Sequence, residues 1–196
     1  LFEQAGIETN PTTWAEFLET VQVLKDAGIT PISLGEGDKW PGHFYWCYLA
    51  IREGGQDAFE AAYSGDGSFA DEPFVKAGAD LQQLIELEPF QSGFLAATYP
   101  DSSQVFADAG AAMELMGHWS PGNMDALAED PEAMRADLGW FPFPTVEGGA
   151  GAPTDVLGGG DGFAIGANAP DQAVDFVRYM TSPEVHNAWA AEGFAV

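Results

Sequence analysis

The chain has 196 residues, and 6 Lys+Arg against 31 Asp+Glu leave a formal net charge of −25. So few basic residues cannot build the cationic surface that displaces counterions from phosphates or holds an anionic membrane face, which excludes nucleic acid and acidic lipid as partners. Hydrophobic residues at 46% and aromatics at 13% also exclude an acidic disordered tail, which is too poor in apolar side chains to form a core.

Charged residues are only 19% of the chain, so the imbalance comes from missing Lys and Arg rather than crowded carboxylates. No apolar run approaches the roughly 18 residues of a membrane span. Cys47 is alone, which leaves no internal disulfide. The chain opens on Leu1-Phe2-Glu3, without initiator Met, signal peptide or anchor cysteine, and is expected to be a processed product or an excised piece.

Thr13-Trp14-Ala15-Glu16 fits a capping box and predicts a first helix with Trp14, Phe17, Leu18, Val21 and Leu24 inward, closed by Gly28. Residues 29–34 then read as a short buried strand. A turn containing Gly35 and Gly37 leads into Trp40-Pro41-Gly42-His43-Phe44-Tyr45. From there a helix is predicted over 41–53, closed by Gly54-Gly55. Its first turns carry aromatics on every side, which one core-facing stripe does not explain. A shorter helix is expected over 56–63, and a longer one over 72–88 with Phe74, Ala77, Leu81, Leu84 and Ile85 inward. Another short helix follows over 102–108.

Residues 111–116 read as a buried strand ending at Gly117-His118-Trp119-Ser120. Helix signals return at 123–128, a strand is predicted over 138–143, and a Gly/Pro-rich connector fills 147–160. A strand over 161–166 precedes a helix over 170–180, with Ala173, Phe176, Val177 and Met180 inward. Ser182 then caps a last helix with Pro183 at its first position. Helices alternating with short strands define an α/β class.

Gly158-Gly159-Gly160-Asp161-Gly162 lacks the third glycine of a dinucleotide fingerprint, and no Gly-Lys-Ser/Thr exists for a phosphate loop. The run reads either as a tight connector or as bare amides approaching a ligand. His43, His118 and His186 stand in no metal-ligand spacing, and no cofactor or metal is expected. No Gly-x-Ser-x-Gly nucleophile elbow occurs, and Cys47 among bulky apolar neighbours reads as an inert thiol.

Two tryptophans stand apart. Trp40 follows a glycine turn and Trp119 follows a strand, the kind of junction where α/β sheets bind ligands. An indole face there can stack on a pyranose ring, with His43, Asp38, His118, Asn123 and Asp161 orienting hydroxyls. Trp14, Trp140 and Trp189 fall at helix-face or strand positions and read as core.

Several ordered segments resemble one known family. They are Leu1-Phe2-Glu3-Gln4-Ala5-Gly6, Pro11-Thr12-Thr13-Trp14-Ala15-Glu16-Phe17, Ala27-Gly28-Ile29-Thr30-Pro31-Ile32 and Ala112-Met113-Glu114-Leu115-Met116-Gly117-His118-Trp119. Gly158 to Ile165, Ala169-Pro170, Ala173-Val174-Asp175-Phe176 and Thr181-Ser182-Pro183-Glu184-Val185 continue the series. The set is similar to the extracellular solute-binding proteins of ABC sugar importers, the maltose-binding-protein-like group. That resemblance implies a type II periplasmic-binding-protein-like α/β fold, represented mainly by its second lobe. Residues 1–150 would be most of that lobe, 151–181 the interlobe crossing with a strand and helix of the first lobe, and 182–196 the start of a returning helix.

By the same resemblance the protein is the substrate-binding component of an importer, not an enzyme. It would bind a mono- or oligosaccharide in an interlobe cleft and deliver it to a permease. Trp119 takes the sugar-stacking role, Trp40 with His43 and Tyr45 supplies a second aromatic wall, and Gly159, Gly160 and Asp161 lie at the cleft. The implied partners are a carbohydrate and the importer permease, with the membrane reached only through that permease or a lipid anchor outside these residues. The implied location is extracellular, surface-anchored or periplasmic. Two other readings of the residues stay open: a glycoside-active enzyme with an acid pair in an aromatic cleft, and a structural module whose aromatics are only core.

Overall fold

The computed structural model describes residues 1–160 and 162–191. Thr13 opens the first helix through its hydroxyl, which accepts the Glu16 N–H at 3.2 Å. The Glu16 carboxylate in turn accepts the N–H groups of Thr12 and Thr13 at 2.7 and 3.1 Å. These bonds hold the Glu16 carboxyl below its ordinary range. Helix α1 (Trp14–Asp26) buries Trp14, Phe17, Val21 and Leu24 along one stripe.

Helix α2 (His43–Ser64) runs through the two predicted helices and breaks where the glycine pair requires, at Gly55, with φ 68° and ψ 179°. Helix α3 (Glu72–Glu86) packs along α2 and buries Phe74, Ala77 and Leu84. Ile85, expected inward, is 51% exposed, because one further residue swings it about 100° around the axis from Leu84. Helix α4 (Tyr99–Ala107) starts ahead of the predicted 102. Thr98 and Asp101 form a second capping box there, with Pro100 in the first turn.

Helix α5 (Ser120–Leu127) follows Trp119. Helix α6 (Pro131–Asp137) was not anticipated; the Asp130 carboxylate accepts the Ala133 N–H at 3.0 Å and starts it. Helices α7 (Gln172–Met180) and α8 (Pro183–Ala191) end the described chain.

The strands expected over 29–34 and 111–116 are reduced to single parallel bridges. Ile32 is the middle member, bridged to Phe90 on one side and Met113 on the other. Its N–H reaches the Pro89 carbonyl at 3.0 Å, and the Ser33 N–H reaches Met113 at 2.9 Å. Gln91 prolongs one edge with its side chain, donating to the Leu34 carbonyl at 2.8 Å and accepting the Leu34 N–H at 2.9 Å. One carboxamide thus does the pairing of a peptide unit. The α/β layering is kept with very little ladder.

Residues 138–143 form no strand, yet their side chains alternate as in one. Phe141 and Phe143 pack on the core while Trp140 is 81% exposed, which corrects the reading of Trp140 as core. Residues 162–166 also form no strand and lie exposed, against expectation.

Arg52 closes the body of the fold. It is 1% exposed, and it donates to the carbonyls of Pro144 at 3.1 Å, Asp155 at 3.0 Å, Phe143 at 3.1 Å and Pro153 at 3.3 Å. Its guanidinium also lies 5.7 Å from the Tyr48 ring centroid. The facing chain comes close because Gly149 and Gly151 have no side chain. A Cβ at those positions would sit 2.2 Å from the Arg52 carbonyl oxygen and 2.0 Å from that of Ile51. The first part of the predicted connector is therefore bound to α2.

Beyond Asp155 the character changes. Among the described residues, none after Val146 belongs to the main apolar cluster. Phe176, expected inward on α7, is 60% exposed, because α7 packs mainly on α8. Among the described residues no helix is long and apolar enough to cross a membrane.

Candidate ligand site

The three parallel segments around Ile32, Phe90 and Met113 lead, at their C-terminal ends, to Trp40, Tyr99 and Trp119. Ligands of α/β sheets gather at such ends. The first two paths run side by side like rails. The Glu36 N–H bonds the Phe94 carbonyl at 2.9 Å, the Gly37 N–H bonds Ala97 at 2.8 Å, and the Asp38 carboxylate accepts the Tyr99 N–H at 2.7 Å. A Cβ at Gly35 would lie 2.3 Å from the Thr98 carbonyl oxygen, so the glycine turn serves close backbone approach.

This approach brings the rings of Trp40 and Tyr99 to 5.1 Å, edge to face, with Phe44 at 5.6 Å from Trp40. From the third path, the Trp119 indole N–H donates to the Tyr99 hydroxyl at 3.0 Å, and the Asn123 side-chain amide donates to the same oxygen at 3.1 Å. Trp40 and Trp119 therefore belong to one half-buried wall, joined through Tyr99. Gly117 makes room for the last member, since a Cβ there would lie 2.1 Å from the Trp119 ring.

The expected residues fall out unevenly. His43 stands exposed at the start of α2, its Nδ1 bonded to the Trp40 carbonyl and its ring 4.6 Å from Phe44. His118 lies 5.6 Å from Trp119 and is exposed. Tyr45 does not stand in the wall: it is 3% exposed and edge-on to Phe90 and Phe143. Two residues along a helix turn a side chain about 200°, so the rotation that presents His43 outward sends Tyr45 into the core. Asp38 uses one carboxylate oxygen, Oδ2, to hold the Tyr99 backbone.

Gly159 and Gly160 are exposed, and a Cβ on either would meet nothing within 4 Å. No hydrogen bond among the described residues joins them to the wall. Asp161 lies outside the described residues.

Tyr99 was missed, although Thr98-Tyr99-Pro100-Asp101 repeats the cap logic of Thr13 to Glu16. Glu114 was also missed; a single carboxylate inside the apolar run 111–116 was its signal. It accepts the Ser120 hydroxyl at 2.6 Å and the Ser103 hydroxyl at 3.3 Å. Burial raises its carboxyl above the ordinary range, against the lowering effect of those two bonds. Burial also pushes the Cys47 thiol up, as suits an unreactive cysteine. Among the described residues, no group of three or more His, Cys, Asp or Glu is placed to share a metal.

Comparison with known proteins matches the family described as bacterial extracellular solute-binding protein, over residues 1–187. An uncharacterized ABC transporter extracellular-binding protein of Pyrococcus horikoshii is 27% identical over 193 residues, covering 96% of this chain and 41% of that protein. The multiple sugar-binding protein of Streptococcus mutans is 26% identical over 190 residues, covering 92% of this chain and 43% of that protein. A solved chitin oligosaccharide binding protein shares the fold with a TM-score of 0.81 at 23% identity, over 99% of this chain and 49% of its own. A structure from work on xylan utilization by Caldanaerobius polysaccharolyticus is 32% identical with a TM-score of 0.73, over 78% of this chain and 38% of that one. The chain thus spans less than half the length of these proteins. The family matched is one of solute-binding proteins, as the resemblance implied, rather than of glycoside-active enzymes. Over nearly its whole length, the chain belongs to the bacterial extracellular solute-binding protein family.

Proposed function

We propose that this chain is part of the sugar-binding component of an ABC importer, and that its wall of Trp40, Tyr99 and Trp119 takes a pyranose ring. The observation that carries this reading is the pair of bonds on the Tyr99 oxygen. Trp119 and Asn123 fill both acceptor positions, so the one phenolic hydrogen is left to donate. Flat apolar faces beside a fixed hydroxyl donor suit a sugar, which offers C–H faces and hydroxyl acceptors. The relatives named for multiple sugars and described for xylan utilization support the same class.

In this reading residues 1–150 supply the second lobe, 151–181 cross to the first, and 182–196 begin the returning helix. Phe176, exposed on the otherwise half-buried stripe of Ala173, Val177 and Met180 on α7, is consistent with an interface to further polypeptide. His43, Gly159 and Gly160 add polar contacts once the lobes close, and the loaded protein meets its permease outside the cell or in the periplasm.

The test is a titration of the polypeptide containing this chain with raffinose, galactose and oligosaccharides of chitin and xylan. At least one sugar is expected to quench tryptophan fluorescence saturably and raise the melting temperature. If none changes either signal, the sugar assignment falls.

A further inference from the structure

The wall is assembled from separate helices, and something must fix their offset. Tyr99 begins α4, while Trp119 and Asn123 sit at the start of α5. Glu114 lies beneath both. Its two carboxylate oxygens accept one hydroxyl each, from Ser103 on α4 and from Ser120, the first residue of α5. The two serines are 1% and 6% exposed, so water does not offer them a substitute acceptor. Besides this carboxylate, the side-chain bonds between the two helices are those on Tyr99 and the 3.3 Å bond from Gln104 to the Leu127 carbonyl.

A partly buried carboxylate is a costly way to hold two helices together, because desolvation opposes its charge. An apolar residue there would avoid that cost but would leave both hydroxyls without an acceptor. Glu114 also borders an apolar cavity of about 120 Å³ shared with Phe106, Met113, Leu115 and Trp140. The Tyr45 phenol on α2 is raised by burial and, to a lesser extent, by the charge of Glu114.

We propose that Glu114 is the positioning residue of the ligand wall: by bonding Ser103 and Ser120 it sets α4 against α5 so that the Tyr99 hydroxyl receives the Trp119 indole N–H. Glu114 does not touch the ligand. The inference rests on the wall being the sugar site, and it adds how that wall is held in register.

Glu114→Gln, Glu114→Leu and the double change Ser103→Ala with Ser120→Ala separate the alternatives. The readouts are the near-ultraviolet circular dichroism of the aromatic wall without ligand, and affinity for raffinose and a chitin oligosaccharide. Glu114→Gln retains an acceptor oxygen and an amide for the second serine, and should keep the parent spectrum and hold affinity within about twofold. Glu114→Leu and the serine pair should each lose a large part of the aromatic signal and weaken binding by about tenfold, while still unfolding cooperatively. A folded Glu114→Leu protein with the parent spectrum overturns the proposal. If that variant does not fold, the serine pair decides, because it removes only two hydroxyls. Should the spectra change as expected while the parent binds no sugar of the whole panel, the positioning of the rings stands and the sugar reading falls.

Discussion

Helices α3 and α7 both carry an apolar stripe, but α3 buries Phe74, Ala77 and Leu84, packed along α2, whereas the α7 stripe of Ala173, Phe176, Val177 and Met180 is only half-buried, with Phe176 60% exposed. The difference lies in what surrounds them. Helix α3 belongs to the part of the chain that Arg52 closes, with its carbonyl partners running from Phe143 to Asp155. Helix α7 lies past that clamp and packs mainly on α8. Periodicity marks which side of a helix is apolar; only a tertiary partner decides whether that side is covered. The aromatic wall belongs to the closed part, which is why its geometry is complete within these residues.

The contrast can be broken at the clamp. Arg52→Met strips four carbonyls of their donor and should cost about 3 kcal/mol or more, read as a lowered denaturation midpoint. Proteolysis should then open the 143–155 stretch first, leaving α7 and α8 cut as in the parent. A loss below about 1 kcal/mol would mean that the clamp is not what separates the two parts.

Matched truncations sharpen the same contrast. Leu84→Ala on α3 should cost about 3 kcal/mol, and Val177→Ala on α7 less than about 1 kcal/mol, in the same unfolding experiment. Equal costs would show that α7 is as well packed as α3. Within the closed part, Gly117→Ala should cost about 1–2 kcal/mol, because the new methyl displaces the Trp119 ring. A shifted tryptophan emission should accompany it, and an unchanged spectrum would contradict the close contact.

The smallest effect is a pH dependence. Burial raises the Glu114 carboxyl above 4.5 in the folded protein, so folding favours its protonated form. The stability this group contributes is complete below that value and is lost as pH rises through the raised one. Glu114→Gln removes the loss, so its stability relative to the parent should improve as pH climbs from 4.5 toward neutrality. A difference that does not vary with pH would mean that the carboxyl titrates as in the unfolded chain.

What the sequence revealed was mostly local. The Thr13 cap, the Gly55 break and the junction positions of Trp40 and Trp119 depend on neighbours a few residues away. Tyr99 was within reach by the same logic, since Thr98 and Asp101 form a cap, but Tyr-Pro reads as loop until the cap is noticed. Tyr45 failed because the rotation of α2 is set by the core it meets and not by the aromatics around it. Trp140 failed because alternation assigns two faces to 138–143 without saying which one is covered. Arg52 has no local signal at all, its four partners lying 91 to 103 residues away.

The central claim is that the Trp40–Tyr99–Trp119 wall holds a sugar, and calorimetric titration of paired tryptophan variants tests it most directly. The titrant is whichever sugar of the panel binds the parent. Trp119→Ala should weaken that binding by about tenfold or more, a loss of about 1.4 kcal/mol, while the variant still unfolds cooperatively. Trp140→Ala, which removes an equally large but exposed indole outside the wall, should leave the affinity within about twofold of the parent. Equal losses from both variants, or a loss from Trp140→Ala alone, would contradict the account.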